Sequence, residues 1–333
     1  MFQQRTVNTF LVIIVSIFLA YAQLWEILIN FKGEFKSHID AAIGVLNGTP
    51  HWETYQNRIL GPYFYLLVKN TWGLNEGNAY ILTLYLQSFL MQLTIILTWK
   101  SISGSWLTSY AVAVISSFFV ALFLQGKWLY LWDFFDFIFI SLILWSWFKE
   151  KSLFIIFFIL LFAIFNRELS IIVLFWLTLI SGINLIYNSK NIELDRFKKI
   201  FFSSLIFLTL GYFIINFLRE FLLIKELGPE IFGDAPKNIN SFFHFKFLEN
   251  LESFKISISN IGKYQIYNFI IIEIFIISLF GLFSKKAILM EISLLVLIMF
   301  FSTILFAVIY ETRVWISFVP LMVFLLREQI KDF

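Results

Sequence analysis

The succession of uncharged apolar runs along this chain constrains its fold more than any single motif does. A helix rises about 1.5 Å per residue, so roughly twenty apolar residues cross a hydrocarbon core of about 30 Å. Ala79–Trp99, Trp106–Leu124, Leu169–Ile186 and Ile200–Leu218 each contain no Asp, Glu, Lys or Arg. In lipid the backbone of such a run has no water to bond, and a helix satisfies it internally. The runs are continuous, unlike the short alternating segments of an outer-membrane barrel. With 60% hydrophobic and only 14% charged residues, the chain also lacks the polar surface of a soluble domain. The sequence predicts an all-α fold, a polytopic transmembrane helix bundle forming a single integral membrane domain over residues 1–333.

Further runs are Val7–Ala22, continuing less cleanly to Ile29, then Trp128–Phe148, Ser152–Phe165, Tyr264–Phe283, Ala287–Tyr310 and Val314–Leu326. Together they predict about ten spanning helices. Ala20-Tyr21-Ala22 has the small-x-small form of a signal-peptidase site, but the apolar character beyond it favours an uncleaved first helix. Ile59–Val68 is about ten residues long and interrupted by Gly61-Pro62, too short to span, and reads as a re-entrant or interfacial helix near 58–68. If it does not cross and the N-terminus is cytoplasmic, Arg5, Lys100, Lys149, Lys151, Lys190 to Lys199, Lys285, Lys286, Arg327 and Lys331 fall inside, as the positive-inside rule asks. Both termini are then cytoplasmic, and the long polar loops 30–78 and 225–263 lie outside. This topology suits a bacterial inner membrane.

A net charge of +3 with no long basic run argues against nucleic acid as a partner. The absence of cysteine excludes disulfides and thiolate chemistry, and three histidines (His38, His51, His244) argue against a His-rich metal site. There is no glycine-rich phosphate loop, GxSxG elbow or HExxH pair. No cofactor is indicated.

Charged residues beside apolar runs carry what function the sequence shows, since charge at bilayer depth is costly and usually faces a bundle interior or wet cavity. Asn166-Arg167-Glu168 sits between two apolar runs, either as a snorkelling helix-end ion pair or as part of such a cavity. On the predicted topology it shares the outer face with four other features. Asp40 and the weaker candidate Glu53 lie in the first outer loop, as a general base or as ordinary loop acids. Arg58 opens the short helix, placed to reach a phosphate or to anchor at the interface. Asp133 and Asp136, three apart on one helix face, are set to bind sugar hydroxyls, to hold a divalent metal, or simply to cap the helix N-terminus. Trp128, Tyr130 and Trp132 beside them read as an interfacial aromatic belt. Glu311 and Arg313 are two apart and on a helix would each pair elsewhere. His51 and His244 read as incidental, and the Phe242–Phe247 segment as an amphipathic stretch on the outer leaflet.

This layout resembles the GT-C superfamily of polytopic membrane glycosyltransferases. The resemblance rests on Asp40 in a long first outer loop, the short helix after Arg58, the outer Asp133, Asp136, Arg167, Glu168 and Arg313, and the helix count. It implies transfer of a sugar from a polyprenyl-phosphate-linked donor at the outer membrane face. The partners would be membrane lipids and a lipid-linked sugar. Asp40 would be the base, with Glu53 as second candidate. Arg58, Arg167 and Arg313 would meet the donor phosphate. Asp133, Asp136, Asn166, Glu168 and Glu311 would hold sugar or acceptor. A lipid or solute transporter, a polysaccharide polymerase or ligase, and a subunit of a larger complex are the alternatives.

Overall fold

The computed structural model describes residues 2–51, 55–124, 129–187, 194–222, 246–259, 265–307, 309 and 311–330. Among these there is no strand. The helices in order are α1 (Phe2–Phe31), α2 (Lys36–Leu46), α3 (Leu60–Trp72), α4 (Glu76–Ser103), α5 (Trp106–Leu124), α6 (Asp133–Phe148) and α7 (Leu153–Ile164). They continue with α8 (Leu169–Tyr187), α9 (Leu194–Leu222), α10 (Phe247–Ser259), α11 (Gln265–Leu282), α12 (Ala287–Phe306), a 3-10 helix (Thr312–Phe318) and α13 (Val319–Ile330).

Among the described residues, six helices are long and apolar enough to cross a membrane: Asn8–Phe31 in α1, α4, α5, Leu169–Ile186 in α8, α9 and α12. The expected count of about ten is not confirmed by this measure of length and composition. Polar residues make several of the other helices shorter than their apolar runs. Trp128–Phe148 yields only the 16 residues of α6, since the Asp133 carboxylate accepts from Tyr130 N at 2.8 Å and holds the chain in a turn there. Ser152–Phe165 yields the 12 residues of α7, which closes where Asn166 N and Arg167 N both turn back to Ala163 O at 3.0 Å. Val314–Leu326 is split between the 3-10 helix and α13, whose second residue is Pro320. Proline has no N–H to donate and favours a first helical turn. Of Tyr264–Phe283, Ile271–Leu282 forms a shorter apolar helix.

Packing follows the stripes that the helices present. α1 buries Val12, Ser16, Ala20, Gln23 and Ile27 at helical spacing, and Ser88 of α4 donates to Gln23 across that seam. Its other face leaves Phe10, Phe18, Tyr21 and Trp25 exposed, as a lipid-facing helix would. The bundle has two unlike ends. At one, Trp145 Nε1 donates to Ser101 Oγ at 3.0 Å, Arg196 pairs with Glu150 at 3.0 Å, and Arg327 lies over Trp99 at 5.3 Å. At the other, the polar end, segments before α3, before α6, between α7 and α8, at the end of α9 and after α12 are joined by ion pairs and hydrogen bonds.

The helix expected near 58–68 is α3, over Leu60–Trp72. Leu60 N donates to Phe165 O at 3.1 Å, and Lys69 pairs with Glu76, at the start of α4, at 3.0 Å. Both of its ends are thus at the polar end, and it lies there instead of crossing. Gly61 makes its docking close: a Cβ at that position would stand 2.7 Å from the Leu131 carbonyl oxygen and 2.8 Å from its carbon. A backbone obstacle cannot rotate away. Gly61→Ala is expected to lower stability by about 1–3 kcal/mol, as overpacking does. Thermal unfolding in a mild detergent checks this, with exposed Tyr63→Ala as a nearly neutral control.

Candidate functional site

The polar end is built on two carboxylates at the start of α6. Asp133 and Asp136, one turn apart, are 1% and 3% exposed. A buried carboxylate persists only when paired and hydrogen-bonded. Asp133 takes Arg313 Nη1 at 3.2 Å and stands 3.6 Å from Arg167 Nη1. Asp136 takes Arg167 Nη1 at 3.0 Å and Asn166 Nδ2 at 2.8 Å. The same Asn166 amide donates to Trp132 O at 2.9 Å, tying the α7–α8 turn to the chain entering α6. Asn166 and Arg167 thus serve as partners of the two aspartates.

A second tier lies around them. Glu168 spans two arginines, receiving Arg58 Nη2 at 3.1 Å on one oxygen and Arg219 Nη2 on the other. Arg219 Nε also donates to Asn57 Oδ1 at 3.2 Å. Burial alone would raise the Glu168 carboxyl, but Arg58 and Arg219 outweigh it and hold it below its ordinary range. Glu311 accepts from Arg313 Nη2, so this guanidinium bridges Glu311 and Asp133.

Aromatic faces complete the cradle. Tyr130 and Trp132 stack at 4.6 Å between centroids, and Tyr55 meets Trp132 edge-on at 4.8 Å. Arg58 sits 4.5 Å above the Tyr55 ring and Arg313 4.3 Å above that of Tyr130, in cation–π contact. The aromatic belt expected at Trp128, Tyr130 and Trp132 is therefore corrected for two of its members. Tyr130 and Trp132 are buried among guanidinium groups, not at a lipid interface, while Trp128 lies outside the described residues.

Beside this cluster opens a cavity of about 650 Å³. Arg58, Arg167, Arg219, Arg313, Lys246, Glu168 and Glu311 line its polar part. α8, which packs on both α9 and α12, lines its apolar part with Ile172 and Phe175, and Leu208, Ile215, Ile298 and Phe306 complete the lining. Five cations line one opening at the head of an apolar trough, each paired with a carboxylate of the chain.

The structure does not bring Asp40 to this cavity. α2 buries His38, Ile39, Ala42 and Val45, and its helical phase turns Asp40 outward to exposure. Glu53 and His244 lie outside the described residues, as does most of the Phe242–Phe247 segment. Asp133 and Asp136 carry arginines, and among the described residues no group of three His, Asp or Glu is disposed to hold a metal. Arg219 and Asn57 are site residues that sequence reasoning missed. The signal for Arg219 was available, since it closes an apolar run at the same end as the other charges. Comparison with protein-family models, with curated proteins and with solved structures gives no match.

His51, read from sequence as incidental, packs edge-on to Tyr55 at 4.8 Å and is 5% exposed. Burial, reinforced by the positive charges of Arg313 and Arg58, holds its imidazole down to about 4. Unfolding lets it protonate near 6.5, so its contribution to stability is present above that value and is lost as pH falls toward 4. Stability is expected to drop between pH 6.5 and 4.5 in the wild type and less steeply in His51→Phe, read as unfolding temperature in detergent against pH. Glu168 acts on the same side but only below its ordinary value near 4.5. Removing the Asp136 charge leaves Arg167 with only the longer Asp133 contact at 3.6 Å. Asp136→Asn is expected to cost about 3 kcal/mol and exposed Asp40→Asn under about 0.5 kcal/mol, measured by the same unfolding assay.

Proposed function

We propose that this protein is an integral membrane glycosyltransferase that takes a sugar from a polyprenyl-phosphate-linked donor at its polar end. The observation that supports this most is the cavity itself. Guanidinium groups gather at its head and aliphatic and aromatic side chains continue below them, the complement of a phosphate on a hydrocarbon chain. On the positive-inside argument the polar end faces away from the cytoplasm, with both termini cytoplasmic, and a bacterial inner membrane suits that arrangement.

In this reading the acceptor hydroxyl attacks the anomeric carbon. The carbon–oxygen bond to phosphate breaks, and the arginines stabilise the charge that develops on the leaving phosphate. The acceptor proton goes to a carboxylate. Asp40, exposed and away from the cavity, is poorly placed for this. Glu311 is better placed, because it lines the cavity and its arginine keeps Asp133 as a second partner when Glu311 lets go. Asp133, Asp136 and Asn166 position Arg167 and Arg313.

A carrier of anionic lipid is the second reading. It is favoured by one observation: both carboxylates that line the cavity, Glu168 and Glu311, are ion-paired, as in a gate. Proteoliposomes loaded with polyprenyl-phosphate hexoses separate the two. An enzyme is expected to release polyprenyl phosphate and glycosylated acceptor, with Glu311→Gln reducing the rate by about a hundredfold or more and Asp40→Asn within about twofold of wild type. Lipid movement between leaflets without any release of polyprenyl phosphate would overturn the enzyme in favour of the carrier.

A further inference from the structure

We propose that the anion seat of this cavity is the Arg58–Arg219 pair, and that Glu168 is a resident carboxylate which the phosphate of a bound amphiphile displaces. This rests on the reading that the cavity takes a phosphate-bearing amphiphile, and it assigns the headgroup to arginines other than Arg167 and Arg313.

The four cavity arginines are held in two different ways. Arg167 and Arg313 grip Asp133 and Asp136, whose side chains are 0% and 4% exposed and are further fixed by Tyr130 N and Asn166 Nδ2. Taking either aspartate away from its arginine would leave a charge buried with nowhere to go. Glu168 differs in its exposure and in its place in the chain. Its side chain is 29% exposed, facing open volume, and it belongs to the α7–α8 turn, not to a helix. A freed Glu168 carboxylate has room to swing into the cavity.

The seat it occupies has the form of an anion site. Arg58 arrives just before α3 and Arg219 from the last turn of α9, and each donates to a different Glu168 oxygen. Two phosphate oxygens offer the same pair of acceptors. Two further buried donors stand beside it, Arg58 Nε and Asn57 Nδ2, neither with an acceptor among the described residues. Asn57 gives its oxygen to Arg219, which leaves its amide hydrogens for another acceptor. Such buried donors are costly unless something accepts from them. A tetrahedral phosphate, with more oxygens than a carboxylate, meets more of these donors than Glu168 does.

The seat also abuts the apolar trough. Ile215 stands one helical turn before Arg219 on α9, and Leu169, Ile171 and Ile172 follow Glu168 on α8, all of them lining the cavity. An anion between Arg58 and Arg219 therefore has hydrocarbon-lined space directly behind it.

The test is titration calorimetry of purified full-length protein in an uncharged maltoside detergent, with farnesyl phosphate as probe and farnesol as its neutral control. The wild type is expected to bind farnesyl phosphate and not farnesol. Glu168→Gln removes the competing charge and is expected to bind the phosphate about tenfold tighter, while Arg58→Gln and Arg219→Gln bind about tenfold weaker. Glu311→Gln, which frees only Arg313, should not tighten binding. Should Glu168→Gln fail to fold, Glu168→Asp, charged but too short to span both arginines, is expected to shift affinity in the same direction by about threefold. Binding that Glu311→Gln tightens and the Glu168 variants do not would place the seat at Arg313 and overturn the inference while leaving a phosphate site in the cavity. No preference for farnesyl phosphate over farnesol in the wild type would overturn the phosphate-site reading and the inference together.

Discussion

Two carboxylates buried at the start of α6 impose most of what is irregular in this structure. Neither Asp133 nor Asp136 can stay charged inside a helix bundle unless cations come to it. Arg167 and Arg313 do so from two later segments of the chain, and each arrives where its own chain has left the preceding helix. α7 ends at Ile164, and a turn carries Asn166 and Arg167 back over α6. α12 ends at Phe306, and Arg313 arrives on a 3-10 helix before α13 begins. The short helices and the buried charges are one arrangement.

Broken backbone inside an apolar bundle carries its own requirement, since each freed carbonyl or amide needs a partner from the protein. At the end of α12 that partner is Asn250, 2% exposed on α10. Its amide donates to Ile304 O and Ala307 O, each at 2.7 Å, and its oxygen accepts from Ile309 N at 3.3 Å. Lys246 N takes Leu305 O at 2.7 Å. Thr312 then donates its hydroxyl to Phe123 O at the end of α5. One amphipathic helix thus supplies the bonds that α12 gives up, and so supports the cavity wall on which Thr303, Phe306 and Glu311 stand.

The apolar runs made the all-helical class legible, and the charge clusters between them marked the end at which Asp133, Asp136, Arg167, Glu168 and Arg313 meet. The spacing from His38 to Leu46 permits a helical turn or more, yet it does not say whether Asp40 faces inward. His38 and Val45 prevail there because Phe31, Tyr130 and neighbouring rings await them, and Asp40 is left outside. Hydropathy alone did not mark where an apolar run leaves the helix, as at Trp132 and Val314. Tyr130 and Trp132 looked like an interface because amphipathic rings prefer one. Here buried guanidinium groups offer the rings an equivalent polar contact. Arg219 escaped notice because it follows a spanning run and has a helix-end explanation in any sequence.

The cluster is close to electrically balanced, and this bears on how it acts. Four arginines meet Asp133, Asp136, Glu168 and Glu311, so the site stands without a ligand and needs no counter-ion to hold its shape. A balanced cluster gains little by adding an anion unless one of its own acids can step aside. The acids are graded for this. Side-chain exposure rises from 0% at Asp133 and 4% at Asp136 to 15% at Glu311 and 29% at Glu168. Rigidity at the helix terminus and looseness at the cavity wall follow from the same fact of burial. The deep pair fixes where the arginines point, and the shallow pair leaves their outer faces open to exchange. An amphiphile whose headgroup replaces a protein carboxylate keeps the cluster balanced, and its tail gains the apolar trough. On the proposed reading, selectivity for an anionic head on a hydrocarbon chain would come from joining these two sites.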